Sequence, residues 1–107
     1  CAVFPLVSKD GIDERAVEIK EYLKDSGFSV FYDDSGSIGR RYRRIDEIGV
    51  PIGITVDHKT AEDHTVTLRD RDSMKQIRVK ITELEDTVKK FLNGHDLEDL
   101  GVVINIK

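Results

Sequence analysis

Between Ala2 and Val56 the spacing of apolar residues switches repeatedly between strand-like and helix-like, and that alternation restricts the fold more than any other feature. Ala2–Val7 is a short apolar run of the kind found in buried strands. Asp13 is placed to cap a helix whose apolar positions Ala16, Ile19 and Leu23 recur at helical spacing, with Ser26-Gly27 as its stop. Phe28–Tyr32 reads as a second strand, closed by Asp33-Asp34. Ile38, Tyr42, Ile45 and Ile48 then form the stripe of a second helix, stopped by Gly49. In the next run Val50, Ile52, Ile54 and Val56 alternate on one face. Pro51 argues that this strand starts there or lies along an edge.

Beyond a polar loop, Thr65–Arg69 and Gln76–Lys80 are two more strand segments around a turn at Asp70–Ser73. Thr82-x-x-Glu85 has the form of a capping box. It opens a helix with Leu84, Val88, Phe91 and Leu92 inward and Asn93-Gly94 at its end. Strands joined through helices become parallel neighbours, and closely spaced strands form an antiparallel meander. The expected fold is therefore α/β, a mixed five-stranded sheet with three helices packed on it. Residues 1–94 form the domain. Residues 95–107 are a tail in which Val102–Ile106 is a sixth strand, a partner-binding segment or an addition foreign to the domain.

A chain of 107 residues with 38% hydrophobic and 36% charged residues suits one globular domain and excludes disorder by composition. No apolar run reaches the roughly 20 residues of a membrane span, and no secretory signal pattern opens the chain. One cysteine, Cys1, rules out an internal disulfide framework, and a cytoplasmic location is expected. The start at Cys1, directly into a strand, is expected of a domain within a longer polypeptide.

The net charge of −4 hides a segregation. Residues 35–80 carry ten Lys/Arg against seven Asp/Glu, whereas both flanking segments are acidic. Seven of the eight arginines, Arg40, Arg41, Arg43, Arg44, Arg69, Arg71 and Arg78, lie in that middle segment. The planar guanidinium fork matches phosphate oxygens and base edges better than a lysine ammonium does. A local anionic partner is thus indicated, not a generally basic surface.

The densest cluster is Ser35-Gly-Ser-Ile-Gly-Arg-Arg-Tyr-Arg-Arg44. Helical phasing puts Arg40, Arg43 and Arg44 opposite the apolar stripe and Arg41 on its flank. The plain alternative is a solvated face partly neutralised by Asp46 and Glu47. Cations in a first helical turn oppose the helix dipole, however, and Gly36 and Gly39 would let a backbone approach an anion closely. The second cluster, Arg69-Asp-Arg-Asp72, either pairs its charges across a hairpin tip or reaches phosphates and bases with Arg69 and Arg71. Asp57-His58 and Asp63-His64 sit in a polar loop without the further ligands a metal site needs. Cys1 has no positioned base, no nucleophile-elbow signature is present, and no catalytic or metal-binding residue is assigned. Of the aromatics Phe28, Phe31 and Tyr32, two are expected to face the core and one to be available for stacking a base.

Asp34-Ser-Gly-Ser-Ile-Gly-Arg-Arg-Tyr42, Asp46-Glu-Ile-Gly-Val50 and Thr67-Leu-Arg-Asp-Arg-Asp-Ser-Met74, in this order and spacing, resemble the C-terminal anticodon-binding domain of archaeal and eukaryotic glycyl-tRNA synthetases. The resemblance runs from the first strand to about Leu92 and leaves the tail uncovered. It implies the same mixed sheet with three helices, binding of the anticodon arm of glycine tRNA isoacceptors, and an upstream catalytic domain in a cytoplasmic, homodimeric parent. That catalytic domain would ligate glycine to tRNA with ATP and magnesium. No catalytic class II motif occurs in these residues, so this chain alone is expected to bind and not to catalyse, and to hold no cofactor. Gly36, Gly39, Arg40, Arg41, Arg44, Arg69 and Arg71 are the expected RNA-binding residues, with the alternative that some lock the domain's own hairpin or dock it on the catalytic domain. Two rival functions remain: a non-catalytic synthetase-like interaction module, as in polymerase accessory subunits, and a small phosphate-ester enzyme using the Gly36–Gly39 turn.

Overall fold

In the computed structural model of the protein, residues 1–6, 11–33, 38–47, 49–73 and 75–104 are described. They form one mixed sheet in the order β2-β1-β3-β4-β5-β6. β1 is Ala2–Pro5, β2 Phe31–Tyr32, β3 Ile52–Val56, β4 Thr65–Asp70, β5 Gln76–Lys80 and β6 Val102–Ile104. The helices are α1 (Ile12–Asp25), α2 (Ile38–Glu47), α3 (His58–Asp63) and α4 (Leu84–Leu92).

β1 pairs in parallel with both β2 and β3, and β3, β4, β5 and β6 follow as antiparallel neighbours. The parallel part follows from chain economy, because each return to the same end of the sheet must pass through a crossover. The chain moves from β1 outward to β2 and then back past β1 to β3. With right-handed crossovers, that reversal sends the α1 and α2 connections to opposite faces.

One face is apolar. Val3, Ile52, Ile54, Val56, Val66, Leu68, Ile77 and Val79 pack there against Ile12, Ala16, Ile19 and Leu23 of α1 and Leu84 and Val88 of α4. Ala2 and Phe4 point to the other face, where Val50 packs against them at the end of the α2–β3 connection. Register carries that second face across Gly53 and Thr55 to Arg69 and Thr67, and on to Gln76 and Arg78. It is polar away from β1.

The five predicted strands are present with the predicted directions, and Pro51 stands immediately before β3, where its missing N–H costs the ladder nothing. Val50 faces the smaller cluster instead of aligning with Ile52, Ile54 and Val56, because the strand has not yet begun there. The second strand is shorter than Phe28–Tyr32, since only its last two residues reach β1. Val7 and the stripe of Ile38, Tyr42, Ile45 and Ile48 lie outside the described residues and side chains. Leu92 is 48% exposed and not buried, whereas Thr87 takes an inward position on α4.

Three local expectations are corrected. Gly11 (φ 77°) precedes α1, and the Asp13 carboxylate accepts only from the neighbouring Glu14 N–H, inside the first turn. The Thr82–Glu85 box does not form: Ile81–Glu83 makes a 3-10 turn, and α4 continues from it without a side-chain cap. The capping box is at Asp57 instead. Its carboxylate accepts from the Thr60 N–H at 3.2 Å and the Thr60 hydroxyl accepts from the Asp57 N–H at 3.1 Å, which turns the expected loop into α3.

Of the tail, a 3-10 turn at Leu97–Asp99 and β6 belong to the fold. Leu97 is buried in the main core and β6 extends the sheet to six strands. Gly101 makes that crossing possible. A Cβ there would sit 3.0 Å from Ile77 Cδ1 and Val79 Cγ1 and 3.2 Å from the Arg78 carbonyl.

Candidate nucleic-acid interface

The expected site residues fall into two groups, one at and before α2 and one at the end of β4 and its turn. Gly36 lies outside the described residues, and Gly39 is the second residue of α2. No acidic residue stands in the first turn of α2, while Arg40 and Arg41 do, so their charges oppose the helix dipole.

The arginines of α2 divide by direction. Arg41, expected on the flank of the outer face, is only 4% exposed and donates from Nη1 to the Pro5 carbonyl at the end of β1. This corrects its placement: the free domain keeps that guanidinium inside, where it fills the end of the central parallel strand. Arg44 is 43% exposed, with Nε 2.8 Å from the Asp33 carboxylate. Arg40 and Arg43 face solvent. Arg40, Arg43, Arg44 and Glu47 line a shallow concavity of about 290 Å³. Three guanidiniums at spacings of three and four repel one another, which disfavours the helix by a few tenths of a kcal/mol per pair. An anion in the concavity would offset that repulsion through its own attraction to each guanidinium.

The second cluster is buried only at Arg69, and its other members pair within the turn. Arg69 is 7% exposed on the second face, opposite Gly53 and Gln76 in the ladder. Arg71 donates from its backbone to the Pro51 carbonyl at 3.1 Å and from Nε to Asp72 at 3.1 Å. Its Nη1 lies 3.4 Å from the position of a Cβ on Gly49, beside the end of α2. A cation there complements the negative end of the helix. The Asp70 carboxylate accepts from the Asp72 N–H and the Ser73 hydroxyl, closing the turn. The hairpin-locking alternative therefore describes Asp70–Ser73 better than a phosphate grip does.

Other polar groups escaped the sequence reading. Asp33, 8% exposed, is the first residue past β2 and holds Arg44. Arg78, read only as part of the arginine excess, spans Thr65, Thr67 and both carboxylate oxygens of Asp57 at 2.6–3.3 Å. Burial alone would raise the Asp57 pKa, but the Arg78 and Thr60 hydrogen bonds and the Arg78 charge outweigh it and hold the group below its ordinary value. The Asp57-x-x-Thr60 spacing was the available signal for that network.

His64 meets Arg15 of α1 at 3.1 Å through Nδ1, and His58 is exposed. Among the described residues no group of three or more His, Cys, Asp or Glu side chains could hold a metal ion. Phe28 and Tyr32 pack on the main core, and Tyr32 carries Lys20 Nζ 5.5 Å above its ring. Of these three aromatics, Phe31 is the exposed one, at 39%. Among the described residues no helix is long and apolar enough to cross a membrane.

Residues 1–91 match the family model described as anticodon binding domain. A glycine–tRNA ligase from Aeropyrum pernix is 53% identical over 104 residues, 95% of this chain and 18% of the relative. One from Methanocaldococcus jannaschii is 56% identical over 90 residues, 84% of this chain and 16% of the relative. The chain thus spans less than a fifth of the length of the relatives it matches. A prolyl-tRNA synthetase from Cryptosporidium parvum superposes with a TM-score of 0.79 at 25% identity, covering 92% of this chain and 21% of that one. By the family match over most of its length, with a fold shared by a prolyl-tRNA synthetase, the chain belongs to the anticodon binding domain family.

Proposed function

We propose that this chain binds the anticodon arm of glycine tRNA as the C-terminal domain of a glycyl-tRNA synthetase. The observation that supports it best is the arginine-lined concavity of α2 on a domain of this family. The glycine specificity is supported by the glycine–tRNA ligases, which are 53% and 56% identical to the chain over the matched residues. An anticodon loop offers closely spaced phosphates and unstacked bases, and such RNA is held by cations and by stacking. Arg40 and Arg44 supply cations on α2, and Phe31 is an exposed ring on the edge strand β2. Arg41 and Arg69 act from inside, fixing the strands and helix that carry the surface.

Aminoacylation belongs to the remainder of the parent, which would bind ATP and magnesium, act in the cytoplasm and form the homodimer. Domain and catalytic part would meet on one tRNA, each reading a different end of it.

The test is titration of the 107-residue chain with a glycine tRNA transcript and with the same transcript lacking its anticodon arm, at several salt concentrations. The expected result is weak binding to the intact tRNA that falls steeply with salt and is lost without the arm. Equal affinity for both transcripts, or none at low salt, overturns the reading. Arg40→Ala combined with Arg44→Ala should reduce affinity, and unchanged binding would remove α2 from the interface.

A further inference from the structure

We propose that Arg43, which neither the motif reading nor the family match singles out, is the principal phosphate contact of α2, and that the concavity it shares with Arg40, Arg44 and Glu47 seats one phosphodiester group of the RNA backbone. The inference rests on the tRNA-binding reading above and assigns the ligand group and the leading residue within it.

The neighbouring arginines are occupied to different degrees. Arg41 is turned into the fold and spends a donor on the Pro5 carbonyl. Arg44 is ion-paired with a buried carboxylate, so Asp33 already offsets much of its field. Arg43 is exposed and makes no hydrogen bond or ion pair among the described residues. Its full charge and all five N–H donors are therefore available to a ligand.

The second observation is the shape. Arg40, Arg43, Arg44 and Glu47 lie one helical turn apart, on a single face, around about 290 Å³ of open space. An RNA phosphate is small, carries one negative charge and accepts paired N–H bonds, which a guanidinium fork supplies in one plane. Arg44, steadied by Asp33, forms a stiff wall, while Arg40 and Arg43 are the walls that close on the anion. Glu47 at the C-terminal end repels it, so the phosphate sits toward the N-terminal half of the helix, where the dipole also favours it.

The test uses the 107-residue chain, a glycine tRNA transcript and a series of salt concentrations. Arg43→Ala should weaken binding about five- to tenfold and reduce the slope of log affinity against log salt by about 0.7–0.9, one phosphate contact. Arg43→Lys should retain the slope, and Glu47→Gln should tighten binding. Arg15→Ala removes an equal charge from α1 and should leave the slope intact. If Arg43→Ala binds like the parent chain, or loses no more than Arg15→Ala does, the assignment is overturned while tRNA binding itself stands. If the unaltered chain fails to bind the transcript, the tRNA reading falls instead.

Discussion

Arg44 Nε lies 2.8 Å from the Asp33 carboxylate, so the residue that ends β2 is tied to the second turn of α2. The pair straddles the surface: the carboxylate is 8% exposed and the guanidinium 43%. Water screens the outer partner, which limits its contribution. We expect Asp33→Asn to lower stability by about 1 kcal/mol in urea unfolding, with Arg44→Ala costing a similar amount. A double variant should then cost less than the two singles together. Additive losses would show that the two side chains do not interact.

Arg41 and Arg43 stand two residues apart on one helix and are expected to behave in opposite ways. Arg41→Ala should destabilise the domain by about 2 kcal/mol, because it removes a buried charged donor and leaves the Pro5 carbonyl without it. Arg43→Ala should change stability by less than about 0.5 kcal/mol, as exposed positions usually do. Thermal and urea unfolding of the two variants check this together.

The Asp57–Arg78 network predicts a pH dependence. The Asp57 pKa is lowered in the folded chain, so its contribution is complete above the ordinary value of 3.8 and is lost as pH falls through the folded value. At neutral pH Asp57→Asn should cost about 2 kcal/mol, because the Arg78 guanidinium loses the opposing charge and one of its two acceptor oxygens, while the remaining amide oxygen still caps α3. The difference between variant and parent chain should shrink below about pH 4. A constant difference between pH 3 and pH 7 would show that the charge of Asp57 is immaterial.

Gly101 is expected to be intolerant for reasons of space. Gly101→Ala would press a methyl group against Ile77, Val79 and the Arg78 carbonyl at 3.0–3.2 Å. The strand must shift or the turn must lift, a cost of about 1–3 kcal/mol. Hydrogen exchange should report the change first at the β5–β6 ladder, with the parallel strands unaffected.

Most of the architecture was legible because period and order are local properties. Ala16, Ile19 and Leu23 mark α1 unambiguously, and the spacing of β3, β4 and β5 leaves little choice but a meander. The short helix α3 was missed because five of its six residues are polar and form no apolar stripe, and only the Asp57–Thr60 box announces it. Thr82–Glu85 has the more familiar box spelling, yet the chain enters α4 through a 3-10 turn. The sixth strand was one of three readings the sequence offered for the tail, and what decides it is Gly101 passing close over β5, a non-local fit.

The site was legible in composition and less so in geometry. The concentration of arginine in the middle segment pointed to α2, and the helix carries it. Phasing at 100° per residue placed Arg40 and Arg43 outward correctly. It could not place Arg41, whose partner is a main-chain carbonyl at the end of a strand more than thirty residues earlier. Arg69 likewise looked available in the sequence. Its ladder position opposite Gly53 turns it onto the covered part of the second face.

The sixth strand also bears on how the molecule behaves in company. A sheet ending at β5 would offer five consecutive residues of open ladder to any passing chain. With β6 in place, the described outer rows are three residues at one margin and two at the other. Among the described residues, β6 covers Gln76, Ile77 and Arg78 of the β5 margin, so the segment after Gly94 removes most of the open ladder through which two such sheets could join edge to edge.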